Sequence, residues 1–266
     1  KDKHNVTRHS SSAPKRDAGT STLKMFSTNG AGVVNGKIHS LVSEVKATGA
    51  TVVTVQETHC RRKGRIMIDD MVVFEAIRVK KGGGTICAIH KDLNPKLVEE
   101  YNDPFELLVV EVEDNKRIIT GYGPQENLTE DKRLPFFIAL EEEIVEATVA
   151  GKSVIIEMDA NSKLGPHYIH GDPHNITPNG RLLAGVIERQ QLFVVNGSSV
   201  CKGKITRRRE ARKKVEESII DIVIVSSDII KDVVSLEIDE TKKHVLSRIR
   251  KTKKGTVKKE SDHNVL

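Results

Sequence analysis

The chain contains no tryptophan and is only 3% aromatic over 266 residues. Phe193 is its last aromatic residue, so everything beyond it lacks the stacking platforms on which single-strand nucleic-acid binding relies. Cysteine is almost as scarce. Cys60, Cys87 and Cys201 are odd in number, widely separated and form no Cys-x-x-Cys, which supports neither a disulfide framework nor a zinc ribbon. A reducing intracellular compartment is the expectation. No apolar run approaches a bilayer span and no hydrophobic signal segment opens the chain, so no membrane partner is expected. Gly82-Gly83-Gly84 lacks a following Lys-Ser or Lys-Thr that would open a helix, and it reads as a turn before a strand over 85–89.

What is present is a set of short β-branched runs, at 51–55, 117–120, 154–156 and 222–225, of the kind that form strands buried in a sheet. Helices separate them. Ile38, Leu41, Val42 and Val45 recur at helical spacing before the stop signal Gly49. Residues 134–149 read as a second amphipathic helix, with Pro135 in its first turn and Gly151 closing it. Leu182, Leu183, Val186 and Ile187 mark a third, followed at once by a strand over 192–195. Residues 1–22 hold hardly an apolar anchor and read as a flexible basic and polar leader. Residues 23–266 suit one large α/β domain, with no internal repeat and no linker to split it.

Polar residues stand at the ends of these apolar runs in an ordered series. They are Asn29, Gln56-Glu57-Thr58, Tyr122, Asp159-Ala160-Asn161, Ser218-Ile219-Ile220-Asp221 and Ser261-Asp262-His263. A carboxylate or amide beside a buried strand is costly unless paired, so these groups are expected to share a cleft or a metal. Mg²⁺ takes one or two carboxylates and leaves its other positions to water and phosphate, a role that Glu57 and Asn29 suit. In-line attack on a phosphodiester also needs a positioned water, a group to take its proton, and donors for the charge developing on phosphorus. Asp159, Asn161, Asp221, Asp262 and His263 are of the right types.

The same six motifs, in this order and near this spacing, resemble the endonuclease/exonuclease/phosphatase superfamily, the group of deoxyribonuclease I and the apurinic endonucleases. Within it the likeness is nearest to the endonuclease domain of non-LTR retrotransposons. It runs from about residue 23 to the end, and six motifs in order rarely coincide. The resemblance implies an α/β fold, a two-layer β-sandwich flanked by helices, whose last strand is cut at Asn264-Val265-Leu266 and leaves His263 poorly held. It implies Mg²⁺, or Mn²⁺ in its place, on Glu57 and Asn29 with Asp262 nearby. It implies Tyr122 and Asn161 on the scissile phosphate and Asp159 on the attacking water. Asp221 would fix the tautomer of His263, itself a base or a transition-state donor. Thr206 matches the family's phosphate-contacting threonine. Two departures stand out: Met158 replaces the usual Gly before Asp159 and could crowd the metal, and Ala31 replaces a polar residue of the first motif.

Charge points the same way. From Cys201 to Lys214 there are eight Lys or Arg against Glu210, and from Lys242 to Lys259 nine with no acid. The chain totals +6, so the remainder carries −10. Two basic segments bordering a phosphodiesterase site suit duplex DNA, contacted through Lys204, Thr206, Arg207, Arg208 and Arg209. A solvated loop or nuclear-import signal is the plainer reading of either segment alone. His167, His170 and His174 lie among Gly, Pro, Asp and Asn and read as a solvated loop before a metal cluster, and His59 is unassigned. Apurinic endonucleases, by resemblance, use late aromatic and apolar side chains to accept a flipped sugar, and this chain has Lys and Arg there instead.

The expected function is therefore a Mg²⁺-dependent endonuclease that nicks duplex DNA. By resemblance it is the target-site nicking domain of a retroelement, linked to a reverse transcriptase and acting inside the cell, in the nucleus. The alternatives are a degenerate DNA-binding remnant, motivated by Met158 and the cut strand, and a phosphatase or apurinic endonuclease of the same fold.

Overall fold

A computed structural model describes residues 22–30, 32, 38–60, 66–78, 82–211, 214–242, 247–252 and 255–266. The expected leader, apart from Thr22, and the departure at Ala31 lie outside these residues.

The first sheet has five strands: β1 (Met25–Asn29), β2 (Val52–Gln56), β3 (Ile66–Ile68), β4 (Met71–Ala76) and β5 (Thr85–His90), in the order β1-β2-β5-β4-β3. The second is built from β6 (Lys96–Tyr101), β7 (Glu106–Val112), β8 (Lys116–Tyr122), β9 (Ser153–Asp159) and β10 (Leu192–Val194), joined by a later strand. After β11 (Cys201–Lys202), β12 (Arg207–Ala211) and β13 (Lys214–Ser218), that strand is β14 (Asp221–Ser226), giving the order β10-β14-β9-β8-β7-β6. β15 (Leu236–Glu237) pairs with β11, and β16 (Ser247–Thr252) with β17 (Gly255–Glu260). The helices are α1 (Ile38–Lys46), α2 (Glu130–Val149) and α3 (Pro178–Arg189).

Strands with apolar residues on both faces need a cover on both faces, and three of the apolar clusters supply it. Between the sheets, Val52, Val72, Phe74, Cys87 and Ile89 meet Leu108, Val110 and Ile118. Outside the first sheet, Val53, Val55, Val73 and Ile86 pack with Leu41, Val42 and Val45 of α1. Outside the second, Leu107, Val109, Ile119 and Ile156 pack with Phe136 and Leu140 of α2 and Leu183 and Ile187 of α3. This is the two-layer sandwich with flanking helices.

α2 begins a turn earlier than its apolar pattern suggests. Glu130 and Asp131 lie in its first turn, where acidic side chains complement the helix dipole but leave no hydrophobic period to read. Pro135 therefore sits inside the helix and not in its first turn. α3 starts where Pro178 follows the N-cap Thr177, whose hydroxyl accepts from the Gly180 amide at 3.3 Å.

The end of the chain is held firmly, contrary to expectation. Ser27 and Leu266 exchange two backbone hydrogen bonds of 2.9 Å along β1, and Asp239 donates to the Val265 carbonyl at 2.8 Å. Val265 joins the core beneath α1, and His263 is 6% exposed.

Strand direction decides where the polar residues go. β1 runs parallel to β2, with Asn29 opposite Gln56, and β8 runs parallel to β9, with Tyr122 opposite Asp159. β14 runs antiparallel to β9, so its first residue, Asp221, also lies opposite Asp159. Four strand ends and one strand start thus gather at one rim of the sandwich.

Candidate active site

Asp159 is the hub of this rim. Its Oδ2 accepts from the Asn29 amide nitrogen at 2.8 Å, a bond that crosses from one sheet to the other. Its Oδ1 accepts from the backbone amide of Asn161 at 3.1 Å. The Nε2 of His263 stands 3.8 Å from Asp159 Oδ2, while Nδ1 of the same ring meets both oxygens of Asp221 at 3.0 and 2.9 Å. The Asp221 carboxylate thereby fixes the ring so that Nε2 faces the cleft. Ser261 secures the arrangement from behind: its hydroxyl donates to the Asn29 carbonyl at 2.9 Å and accepts from the His263 amide at 3.2 Å.

Glu57 enters from a loop interlocked with the end of β1. Gly30 donates to the Gln56 carbonyl at 2.7 Å and Gly32 to the Glu57 carbonyl at 2.8 Å. Gly32 adopts a positive φ of 72°, and a Cβ there would run into the His59 ring. His59 thus packs against this loop. Glu57 itself has φ 49°, left-handed for a non-glycine residue, which turns its half-buried carboxylate away from the strand line. The Tyr122 hydroxyl donates to Glu57 Oε1. Asn161, also left-handed at φ 44°, donates from its side chain to the Gly123 carbonyl at 3.0 Å.

The electrostatics follow from buried acids crowded at one place. Burial pushes the Asp159 carboxyl up, with Asp221 adding to the effect, against the pull of His263 and of the bond from Asn29. For His263 burial opposes the charged ring, but Asp221, Asp159 and Asp262 outweigh it and hold its pKa above the ordinary histidine value. Burial, Asp159 and Glu57 together raise the Tyr122 phenol, which stays a hydrogen-bond donor. The rim therefore offers an imidazolium donor, a phenol donor, and a carboxyl whose proton affinity is raised.

Among the described residues, one group of His, Cys, Asp or Glu brings its ligand atoms within 4.8 Å of one another: Asp159, Asp221 and His263. Asp262 is not in it. Its carboxylate turns to Arg207, whose Nε lies 2.9 Å from Oδ2, and its carbonyl accepts from the Arg208 amide at 2.7 Å. Asp262 ties β12 to the site, and Glu57 likewise stands outside that group. His167, His170 and His174 form no such group. His167 and His170 are exposed, in line with the loop reading, whereas His174 is paired with the buried Asp172 at 2.8 Å.

Thr206 corrects a further expectation. It is fully buried, and its hydroxyl accepts from the amides of Ile220 and Asp221 at 2.9 and 3.1 Å. It positions Asp221 and has no free surface for DNA. Lys204 packs back on the 165–174 loop, with Nζ 3.0 Å from where a Cβ on Gly171 would stand. Arg207 is held by Asp262, Arg208 pairs with Glu217 at 2.8 Å, and Arg209 is exposed opposite Glu216. Met158 belongs to the core beneath α2 and α3, on the opposite face of β9 from Asp159, so it does not crowd the rim.

Three supports of the site escape the sequence reading. Ser261 enters it only as part of a motif. Asn196 donates to the Asp221 carbonyl at 3.1 Å and accepts from the Val223 amide at 2.8 Å. Asn179, fully buried, donates to the carbonyls of Pro124 and Asn161 at 2.6 and 3.2 Å. An Asn directly after the Pro that opens α3 is a readable hint that a helix start carries a second task.

No protein-family model matches the chain, and no curated protein matches it by sequence. Solved structures do match in shape. The endonuclease domain of TRAS1, a telomere-specific non-LTR retrotransposon, is 16% identical, covering 92% of this chain and 96% of that one, with a TM-score of 0.56. An AP endonuclease from Archaeoglobus fulgidus is 14% identical over 92% and 97% of the two chains, with a TM-score of 0.60. The 3'-5' exonuclease NExo from Neisseria meningitidis is 12% identical over 91% and 97%, with a TM-score of 0.66. The chain shares with these nucleases the deoxyribonuclease I-like fold, a two-layer sandwich flanked by helices.

Proposed function

We propose that this protein is a Mg²⁺-dependent endonuclease that hydrolyses a phosphodiester bond and nicks one strand of duplex DNA. The observation that carries the reading is the buried Asp221–His263–Asp159–Asn29 chain, which joins two sheets at one rim beside the Tyr122–Glu57 pair. A structural polar network has no need of a charged ring aimed at the hub of a cleft.

Glu57 and Asn29 fit a hard cation. They offer a half-buried carboxylate just past the end of β2 and an amide at the end of the parallel β1, both oxygen donors. Mg²⁺ held there by Glu57 and Asn29 would supply polarisation of a phosphate oxygen. The remaining work falls to side chains. Asp159, with raised proton affinity, accepts the proton of the attacking water, and Asn161 holds that water and the phosphate. His263, kept charged by Asp221, donates from Nε2 to the charge developing on phosphorus, and Tyr122 hydrogen-bonds the same phosphate. Asp262 acts at a distance by anchoring Arg207.

Two observations favour the hydrolytic reading over a degenerate copy: Met158 faces away from the site, and the segment after His263 is paired along β1. The motif order and the likeness to the TRAS1 endonuclease domain support a target-site nicking role, in the nucleus and alongside a reverse transcriptase of the same polyprotein. Supercoiled plasmid relaxation with Mg²⁺, and with EDTA, is the test. Open-circular product that requires both Mg²⁺ and Glu57, and is lost in Glu57→Ala, is the expected result. Relaxation that survives EDTA or the Glu57 substitution would sink the proposal.

A further inference from the structure

Two antiparallel ribbons are rooted on the segment that carries His263. β12 begins with Arg207, which bridges His263, and β17 ends at Glu260, next to Ser261. The first ribbon is nearly neutral along its strands: Arg207, Arg208, Arg209 and Lys214 stand against Glu210, Glu216 and Glu217, and the register sets Arg208 opposite Glu217 and Arg209 opposite Glu216. The second is not. Its strands carry Arg248, Arg250, Lys251, Lys258 and Lys259 against Glu260 alone, with the acid at the root.

The sequence of this second ribbon offers little apolar surface to bury. Ile249 and Val257 are its only aliphatic residues, and among the described residues β16 and β17 pair with each other and with no other strand. An isolated two-stranded ribbon of this kind is marginal by itself in water, and five like charges within it repel one another. Such an element suits a polyanion that neutralises it.

We propose that the β16–β17 ribbon is the electrostatic arm of the protein, lying along the phosphate backbone of duplex DNA beside the cut. The proposal rests on the reading of the rim as a DNA-cleaving site. Six residues per strand extend about 20 Å from the root, which matches roughly six steps of a DNA strand at its rise per nucleotide. The arm therefore reaches phosphates on one side of the scissile bond, and the near-neutral β12–β13 ribbon contributes little to net affinity. Contact of this kind is insensitive to base sequence and strongly salt-dependent.

The experiment measures binding of the full chain to a fluorescent duplex by anisotropy across a salt titration, in EDTA so that hydrolysis plays no part. The variant replaces Arg248, Arg250, Lys251, Lys258 and Lys259 by Gln, and a milder one carries only Lys258→Gln and Lys259→Gln. The expected result is a salt slope shallower by about 3 for the five-fold variant, somewhat less than 0.9 per charge removed. The milder variant is expected to show a smaller change of the same sign. An unchanged slope in both, with the near-ultraviolet spectrum of the sandwich retained, would overturn the proposal. So would an equal loss of affinity for single-stranded DNA in a protein without preference for duplex. A shallower slope in a protein that never nicks with Mg²⁺ would support the arm while refuting the hydrolytic reading.

Discussion

β12–β13 and β16–β17 share a plan: each is a two-stranded antiparallel ribbon outside the sandwich, each is basic in its sequence neighbourhood, and each is rooted within a few residues of His263. They differ in what faces the charge. In the first, cross-strand glutamates and Asp262 answer the arginines, and the strands sum to +1. In the second the strands sum to +4. The lesson is that a count of Lys and Arg along a segment measures attraction to DNA only after the partners across the ladder have been subtracted. The first ribbon is better described as part of the site's framework: Arg207 holds Asp262, and the turn before it puts Thr206 beneath Asp221.

The largest expected effect separates the shared root from both ribbons. Asp159→Asn or His263→Gln should lower the nicking rate by about a thousandfold, within the range for loss of a proton-transfer group, while affinity for duplex in EDTA stays close to that of the unaltered chain. A drop in affinity equal to the drop in rate would make the root a binding element and erase the distinction between site and arms.

Next comes a test of the sandwich itself, which both ribbons leave untouched. Glu157 is buried between the sheets, where its carboxylate accepts from the Thr54 hydroxyl. Burial pushes its pKa up to about 7, against hydrogen bonds from Ser27 and Thr54 that lower it. A folded-state pKa above the unfolded value means that the protonated form is favoured in the folded protein. Its stability contribution is whole below about pH 4.5 and declines as pH rises through about 7. Glu157→Gln should remove that decline, leaving the variant more stable than the parent by up to about 3 kcal/mol at pH 8 in urea denaturation. Ribbon variants should keep the parental pH profile, and a ribbon variant that flattened it would show the arms to be part of the fold's core.

The smallest expected effect concerns the first ribbon. Replacing Arg207, Arg208 and Arg209 together by Gln should reduce the salt slope of DNA binding by only about 1, since two of the three already have carboxylate partners. A reduction near 3, equal to that expected for the second ribbon, would collapse the comparison and restore the arginine triplet as the main DNA contact.

Much of the site was legible because β-branched runs end abruptly at polar residues. Asn29, Glu57, Tyr122, Asp159 and Asp221 each sit at such a junction, and strand ends of a sandwich have few places to go but a common rim. The sandwich, its flanking helices and the Asp221–His263 pair follow from the same pattern and the family likeness. The exceptions have a common cause. The start of α2 was hidden because its first turn is acidic and carries no apolar period. Thr206 resembled a phosphate contact because its type and place fitted, whereas its hydroxyl is consumed by two backbone amides fourteen and fifteen residues away.

The sequence by itself determined which residues end the strands and what chemistry they can perform, because strand propensity and desolvation act locally. Tertiary structure alone decided which charges are answered across a ladder and which polar groups are taken up by the backbone. Both depend on register and on contacts between distant segments, such as Arg207 with Asp262 and Asn29 with Asp159, and no local pattern encodes those distances.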